Sequence, residues 1–289
     1  IVLFELRRVN AVGLFSFFAI SSTMHPFSPQ HPPMKIATWN VNSLNVRLPH
    51  VLDWLAQHQP DVLVLQELKL DQDKFPHAEI EAAGYQAAWN GQKTYNGVAI
   101  LSQHAITDVV CDMPDFADEQ KRVIAASING VRIVNVYCVN GEAVGSDKYA
   151  YKQRWFAALR DYMHGVVAKH PQTVLLGDFN IAPADLDVYD PEKWHEKILC
   201  STPERQWFGQ LLDLGLTDSL RHLDAESPSY TWWDYRMNMF RRKLGLRIDH
   251  ILVSAPLLAR LHSVSVDTIA RGQERPSDHA PVCAVFNPA

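Results

Sequence analysis

Long apolar runs are missing from this chain: crossing a bilayer takes about 20 consecutive apolar residues, and the stretch Ala11 to Ile20 is too short for that. Positive charge is also in deficit. With 27 Lys and Arg against 32 Asp and Glu, the net charge is −5, so no global basic field recruits nucleic acid indiscriminately. Any nucleic-acid site has to be a local patch. The only cysteines, Cys111, Cys138, Cys200 and Cys283, are widely scattered and form no C-x-x-C pair. That spacing speaks against a zinc site or a disulfide framework and suits a reducing compartment. Repeats and low-complexity tracts are absent beyond residue 33. What is there, 289 residues of which 47% are hydrophobic and 20% charged, fills a sizeable core and excludes general disorder.

Residues 1–33 differ in character from the rest. Arg7 and Arg8 precede the apolar stretch, and Ala19-Ile20-Ser21 offers a small-x-small cleavage site, so one reading is a secretory signal. Against it, the chain starts at Ile1, Met34 stands directly before the first clear strand, and Pro26, Pro29, Pro32 and Pro33 make an extended linker. The favoured reading is a leader and linker that is disordered or not native, followed by one domain over 34–289.

The stretch Thr173-Val174-Leu175-Leu176-Gly177-Asp178-Phe179-Asn180 organises that domain. An apolar, β-branched start suits a buried strand, and the abrupt Gly, Asp and Asn suit its exposed C-terminal end. Alternation sends Asp178 and Asn180 to one side and Phe179 to the other. The same pattern recurs. Lys35 to Asn40 and Asp61 to Gln66 read as strands ending in Asn40 and Glu67, with a helix predicted over Val46 to His58 between them. Further strands are expected at Tyr85 to Trp89, Gly97 to Ser102, Arg122 to Ile128 and Val131 to Cys138, the last two joined by an Asn129-Gly130 hairpin turn. Helices are predicted over Lys148 to Lys169 and Gln206 to Leu214, with an irregular segment from Ile181 to Pro203 between them. Strands at Tyr230 to Tyr235, Arg247 to Val253, Ser263 to Asp267 and Ala280 to Phe286 complete an α/β domain of two packed sheets flanked by helices.

Polar residues gather at the predicted strand ends: Asn40, Glu67, Tyr137, Asp178, Asn180, Asp249, Asp278 and His279. Each alone has an ordinary explanation as a cap, a turn or a solvated terminus. Together they form a set of hard oxygen donors without cysteine, which suits Mg²⁺ or Mn²⁺.

Seven blocks, Thr38-Trp39-Asn40-Val41-Asn42, Leu65-Gln66-Glu67-Leu68-Lys69, Tyr95-Asn96-Gly97-Val98-Ala99, Gly177-Asp178-Phe179-Asn180, Tyr230 to Arg236, Gly245 to Asp249 and Ser277-Asp278-His279-Ala280-Pro281, occur in this order. With them the chain closely resembles the exonuclease III family of Mg²⁺-dependent DNA-repair nucleases, from Lys35 to Phe286. The resemblance implies a four-layered α/β sandwich and a phosphoesterase acting on duplex DNA at abasic sites or blocked 3′ ends, and a monomer is expected.

By chemistry and resemblance together, Glu67 with Asn40 and Asp278 nearby would hold Mg²⁺ or Mn²⁺. Asp178, helped by Asn180, would position or deprotonate the attacking water and also touch a metal. His279, oriented by Asp249, would contact phosphoryl oxygens, and Tyr137 would donate to the same centre or stabilise it as phenolate. Trp232 matches the family's aromatic that walls the pocket for a sugar lacking its base, Asn140 matches a phosphate or sugar contact, and Lys69 belongs to the Glu67 block. Of Trp232 and Trp233, alternation makes at least one a core residue. Arg241 and Arg242 lie in a basic segment, Arg236 to Lys243, suited to neutralising phosphates. Leu68 and Val139 replace the family's usual Thr and Pro, and the segment Asp190 to His195 offers bulky groups beside the pocket; a narrowed pocket would favour 3′-end trimming over internal incision.

No membrane is implied, and the expected compartment is the cytoplasm, at the nucleoid; export would need residues 1–33 to be a working signal. The rivals are a secreted nuclease or a lipid or inositol phosphatase of the same superfamily, and a non-catalytic DNA-binding protein on a dead enzyme fold.

Overall fold

The computed structural model describes residues 33–288. The leader reading therefore falls, but for Pro33, outside the described residues. Among these residues no helix is long and apolar enough to cross a membrane.

The strands are β1 (Met34–Asn40), β2 (Val62–Gln66), β3 (Gln86–Asn90), β4 (Val98–Ser102), β5 (Thr107–Cys111), β6 (Val123–Ile128), β7 (Val131–Tyr137), β8 (Thr173–Asp178), β9 (Leu216–Asp218), β10 (Asp249–Ser254), β11 (Leu261–Val266) and β12 (Val282–Phe286). They form two six-stranded mixed sheets, in the orders β11-β12-β1-β2-β4-β3 and β5-β6-β7-β8-β10-β9. The main helices are α1 (Leu44–His58), α2 (His77–Ala82), α3 (Asp147–Lys169), α4 (Pro191–Trp194) and α5 (Thr202–Leu212).

Strand alternation explains the layers. Ile36, Val62, Val64 and Ile100 of the first sheet pack against Ile133, Val174, Leu176 and Ile251 of the second in one buried cluster. Their neighbours face outward. Ala37, Trp39, Leu63 and Leu65 meet Val51, Trp54 and Leu55 of α1, while Val134, Leu175 and Leu252 meet Trp155, Phe156 and Leu159 of α3 and Phe208 of α5. Helix, sheet, sheet and helix make the expected four layers, and each fully buried aliphatic side chain contributes about 1.5–3 kcal/mol.

The hairpin turn takes the predicted form, with Asn129 and Gly130 both at positive φ, 48° and 77°. Several elements depart from the sequence reading. Tyr230 to Tyr235 makes only isolated bridges, Trp232 with Leu246 and with His279, because no neighbouring strand runs beside it. Helix α5 starts at Thr202, earlier than predicted, where a capping box joins Ser201 and Glu204. Strands β5 and β9 and helix α2 escaped prediction: β5 is largely exposed, β9 has three residues, and α2 buries only Ile80. Elements so short or so exposed carry no periodic apolar signal.

Candidate active site

Register brings the polar strand ends to one edge. β1 and β2 run parallel with Asn40 opposite Gln66, and β7 and β8 run parallel with Tyr137 opposite Asp178. β10 runs antiparallel to β8, so its first residue, Asp249, also stands opposite Asp178. Gly177 permits this convergence: its φ is +142°, and a Cβ there would lie 2.0 Å from the Val136 carbonyl oxygen. One amide then joins the two sheets. Asn40 Nδ2 donates to Glu67 Oε1 at 2.8 Å and to Asp178 Oδ2 at 2.9 Å, while Lys69 Nζ pairs with Glu67 Oε2 at 2.8 Å.

Behind this pair sits a buried histidine. His279 Nδ1 donates to Asp249 Oδ2 at 2.9 Å, and Thr231 Oγ1 donates to the same oxygen at 2.6 Å. The other ring nitrogen, Nε2, lies 3.8 Å from Asp178 Oδ2. Burial by itself would lower the His279 pKa, but the Asp249 and Asp178 carboxylates outweigh it and push it up to about 10. The ring is therefore an imidazolium at neutral pH. Burial raises Asp178 to about 7, with the His279 cation opposing the rise. Tyr137 is held well above the usual phenol range, first by burial and then by the Glu67 carboxylate, with the Arg122 guanidinium 4.8 Å from its ring centroid. At neutral pH Tyr137 therefore keeps its phenol proton, which disfavours the phenolate expectation.

Asn180, at φ +50°, receives on its main-chain side a turn closed by its own N–H to Asp178 Oδ1 at 2.8 Å. Its side chain donates to the Cys138 carbonyl at 3.0 Å and accepts from Asn140 Nδ2 at 3.0 Å. A cavity of about 360 Å³ opens over these groups. Glu67, Tyr137, Asn140, Asp178, Asn180, Asp234, Arg236 and His279 supply its polar lining, and Trp194, Ile198, Leu199, Trp232 and Ile248 its apolar lining. Trp233, 4% exposed, is the core member of the tryptophan pair.

Two groups of predicted residues stand further out. Asp278 accepts from Asn42 Nδ2 and Trp232 Nε1, each at 2.9 Å, and so touches the Trp232 ring rather than Glu67. Arg241 and Arg242 are exposed and outside the cavity; Arg242 lines an adjoining groove with Tyr189, Lys193 and Met237. Sequence reasoning missed Thr231, Lys152, Arg122 and the buried ion pairs of Arg247 with Asp187 and Asp218. Lys152 left a readable signal, a cation within the apolar stripe Tyr149, Trp155, Phe156, Leu159 of α3.

Glu67, Asp178 and His279 can bring one ligand atom each within 4.8 Å of the others. An imidazolium has no lone pair to offer, which leaves the carboxylate oxygens of Glu67 and Asp178 as the groups of this cluster that could hold a cation, bridged by the N–H donors of Asn40 Nδ2. Oxygen donors of this kind fit a hard divalent cation.

Over residues 37–279 the chain matches the Endonuclease/Exonuclease/phosphatase family. Exodeoxyribonuclease III of Haemophilus influenzae is 36% identical over 267 residues, which are 88% of this chain and 100% of that one. The chain belongs to the exonuclease III family. This nuclease also shares 34% identity over 258 residues with DNA repair nuclease APEX1 of Danio rerio, covering 86% of this chain and 81% of that one. Among solved structures, the 3′ phosphatase NExo from Neisseria bound to product DNA hairpin matches at a TM-score of 0.87 and 62% identity, covering 88% of this chain and 99% of that one. An AP endonuclease from Archaeoglobus fulgidus matches at 0.85 and 38%, covering 88% and 99%. The protein is a DNA-repair nuclease, a DNA phosphodiesterase of a metal-dependent family, and both sheets and their flanking helices follow the fold of the exonuclease III family.

Proposed function

We propose that this nuclease works chiefly at 3′ ends of duplex DNA, removing 3′ phosphates and trimming blocked termini, with Mg²⁺ as its ion and Mn²⁺ as a substitute. The observation that carries this reading is the 62% identity, over 99% of its length, with a relative named as a 3′ phosphatase. Trp194, Ile198 and Leu199 add bulk to the lining of the cavity, and in this reading that bulk disfavours entry of an internal sugar.

Glu67 and Asp178, with Asn40, would hold the cation, which when bound neutralises charge on the phosphate and the leaving oxygen. The chain's own groups do the rest. Asp178, buried at the cavity with the Asn180 amide beside it, takes a proton from the attacking water. His279 turns its Nε2 donor toward the place of the phosphoryl oxygens, held there by Asp249. Tyr137 donates to the same oxygens, Trp232 walls the terminal sugar, and Asp278 fixes the Trp232 ring through its indole N–H. Asn140 contacts sugar or phosphate, Lys69 balances the Glu67 charge, and Arg241 and Arg242 take flanking phosphates. The enzyme acts as a monomer in the cytoplasm, on nucleoid DNA; its four free cysteines support a reducing compartment. Residues 34–289 form the catalytic domain in this reading.

The test is a gel assay of the full chain on two labelled duplexes, one nicked with a 3′ phosphate and one with an internal abasic-site analogue. Mg²⁺-dependent removal of the 3′ phosphate is expected, abolished by EDTA, with Asp178→Asn slower by about 10²–10⁴-fold. Internal incision as the faster reaction would overturn the 3′-end preference and return Trp232 and Asn140 to an abasic-site pocket.

A further inference from the structure

Lys152 is fully buried, and its ammonium reaches three segments that are far apart in sequence. Nζ donates to the main-chain carbonyls of Asn140 at 3.1 Å and Asn180 at 2.8 Å, and to Glu204 Oε1 at 2.5 Å. Those are the three donors an ammonium has. Glu204, also fully buried, carries the tie onward. Oε1 accepts the Leu199 N–H at 3.0 Å, and Oε2 accepts the N–H and hydroxyl of Ser201 at 3.1 and 2.6 Å. Asn140, Asn180 and Leu199 are three walls of the catalytic cavity. None of them lies in a helix or strand, so no ladder of main-chain hydrogen bonds sets their spacing.

An apolar pair of similar volume would serve stability as well or better, because two charges lose their hydration on burial. What an apolar pair would lack is direction. Lys152 also shapes the loop sterically: a Cβ on Gly141 would lie 3.0 Å from Lys152 Cδ.

We infer that Lys152 and Glu204 are a positioning pair, which sets Asn140, Asn180 and Leu199 against one another so that the two asparagine amides meet the DNA terminus in one prepared arrangement. The inference rests on the reading that Asn140 and Asn180 act on the substrate. Preparation of this kind acts on the transition state, so its loss falls on kcat more than on KM.

The variant to make is Lys152→Met with Glu204→Gln, which removes both charges and leaves neither buried alone. Steady-state kinetics on the 3′-phosphate duplex would be measured well below the melting temperature of each protein. With folding confirmed by thermal melting, kcat should fall by about 10–100-fold while KM changes little. A folded double variant with the wild-type kcat, or a loss confined to KM, overturns the inference. Should the double variant not fold, Lys152→Arg keeps both charges, but its rigid planar fork cannot set one donor on each of three acceptors; kcat should again fall, and a wild-type kcat again overturns the inference. A wild type inactive on this duplex would instead count against the 3′-end reading, and the same comparison would then be made on whichever DNA duplex it cleaves.

Discussion

His279 and Asp178 face each other at 3.8 Å, one pushed up to about 10 and the other to about 7. The working form needs Asp178 without its proton and His279 with one; in the metal-free protein that combination prevails between the two values, and a cation on Asp178 extends it to lower pH. A bell-shaped pH profile of kcat/KM is therefore expected, its limbs belonging to the coupled pair rather than to either residue alone. Asp249→Asn removes the carboxylate that most raises His279. The alkaline limb should then move to lower pH by about one unit or more, and kcat should drop by about 10–100-fold. An unmoved limb in the pH–rate profile would assign it to another group. At this scale the strand-end residues were legible, because a carboxylate or amide closing an apolar run is conspicuous. Thr231 was not, since its partner Asp249 is 18 residues away and reached only through the fold.

Elements carry two further expectations. Gly177, one residue before the end of β8, has φ +142°, with the Val136 carbonyl where a side chain would begin. Gly177→Ala should cost about 3 kcal/mol or more, the sum of overpacking and a backbone conformation that other residues rarely adopt. Chemical denaturation would measure it, and a loss below 1 kcal/mol, roughly the ordinary cost of a point change, would show that β7 and β8 can part there. The basic segment folds as an exposed turn over Arg236–Asn238 that continues to Lys243, with Met237 at φ +57°. If Arg241 and Arg242 each neutralise a phosphate, replacing one by Ala should lower the slope of log K against log salt by about 0.9. Binding titrations at several salt concentrations decide it; an unchanged slope places both in solvent. The strands of the core and the long helix were readable from period alone. Residues 230–235 were not, because an alternating apolar and polar pattern requires a partner strand to become β-structure, and here only single bridges form.

Across the whole molecule, buried polar groups knit the layers. Gln66 Nε2 donates to Thr38 Oγ1 at 2.9 Å and, across the sheet interface, to Asn135 Oδ1 at 2.8 Å. On the far side of β10, Arg247 binds Asp187 and Asp218, and His250 lies beside them with Nε2 2.9 Å from the Ile181 carbonyl. Burial, and then the Arg247 charge, lower His250 from 6.5 to about 4. Between those values the unfolded chain binds a proton that the native state refuses. Stability should therefore fall as pH drops from 6.5 to about 4, by up to about 3 kcal/mol from this group. His250→Gln, which can still donate to Ile181, should flatten that part of the pH dependence in denaturant unfolding. Equal slopes in both proteins would mean that other groups carry it.

Composition and pattern by themselves determined the two-sheet core, the order of most elements and the set of polar residues at strand ends, because alternation and strand termination are local properties of the chain. Tertiary structure alone decided how those residues divide. It drew Asn40, Glu67, Asp178 and His279 into contact, left Asp278 on Trp232 and Arg241 and Arg242 exposed outside the cavity, and placed Lys152 and Glu204 behind it. The reason is physical: register and sheet packing set distances between residues tens to hundreds of positions apart, and charge states such as those of His279 and Asp178 follow from those distances and from burial.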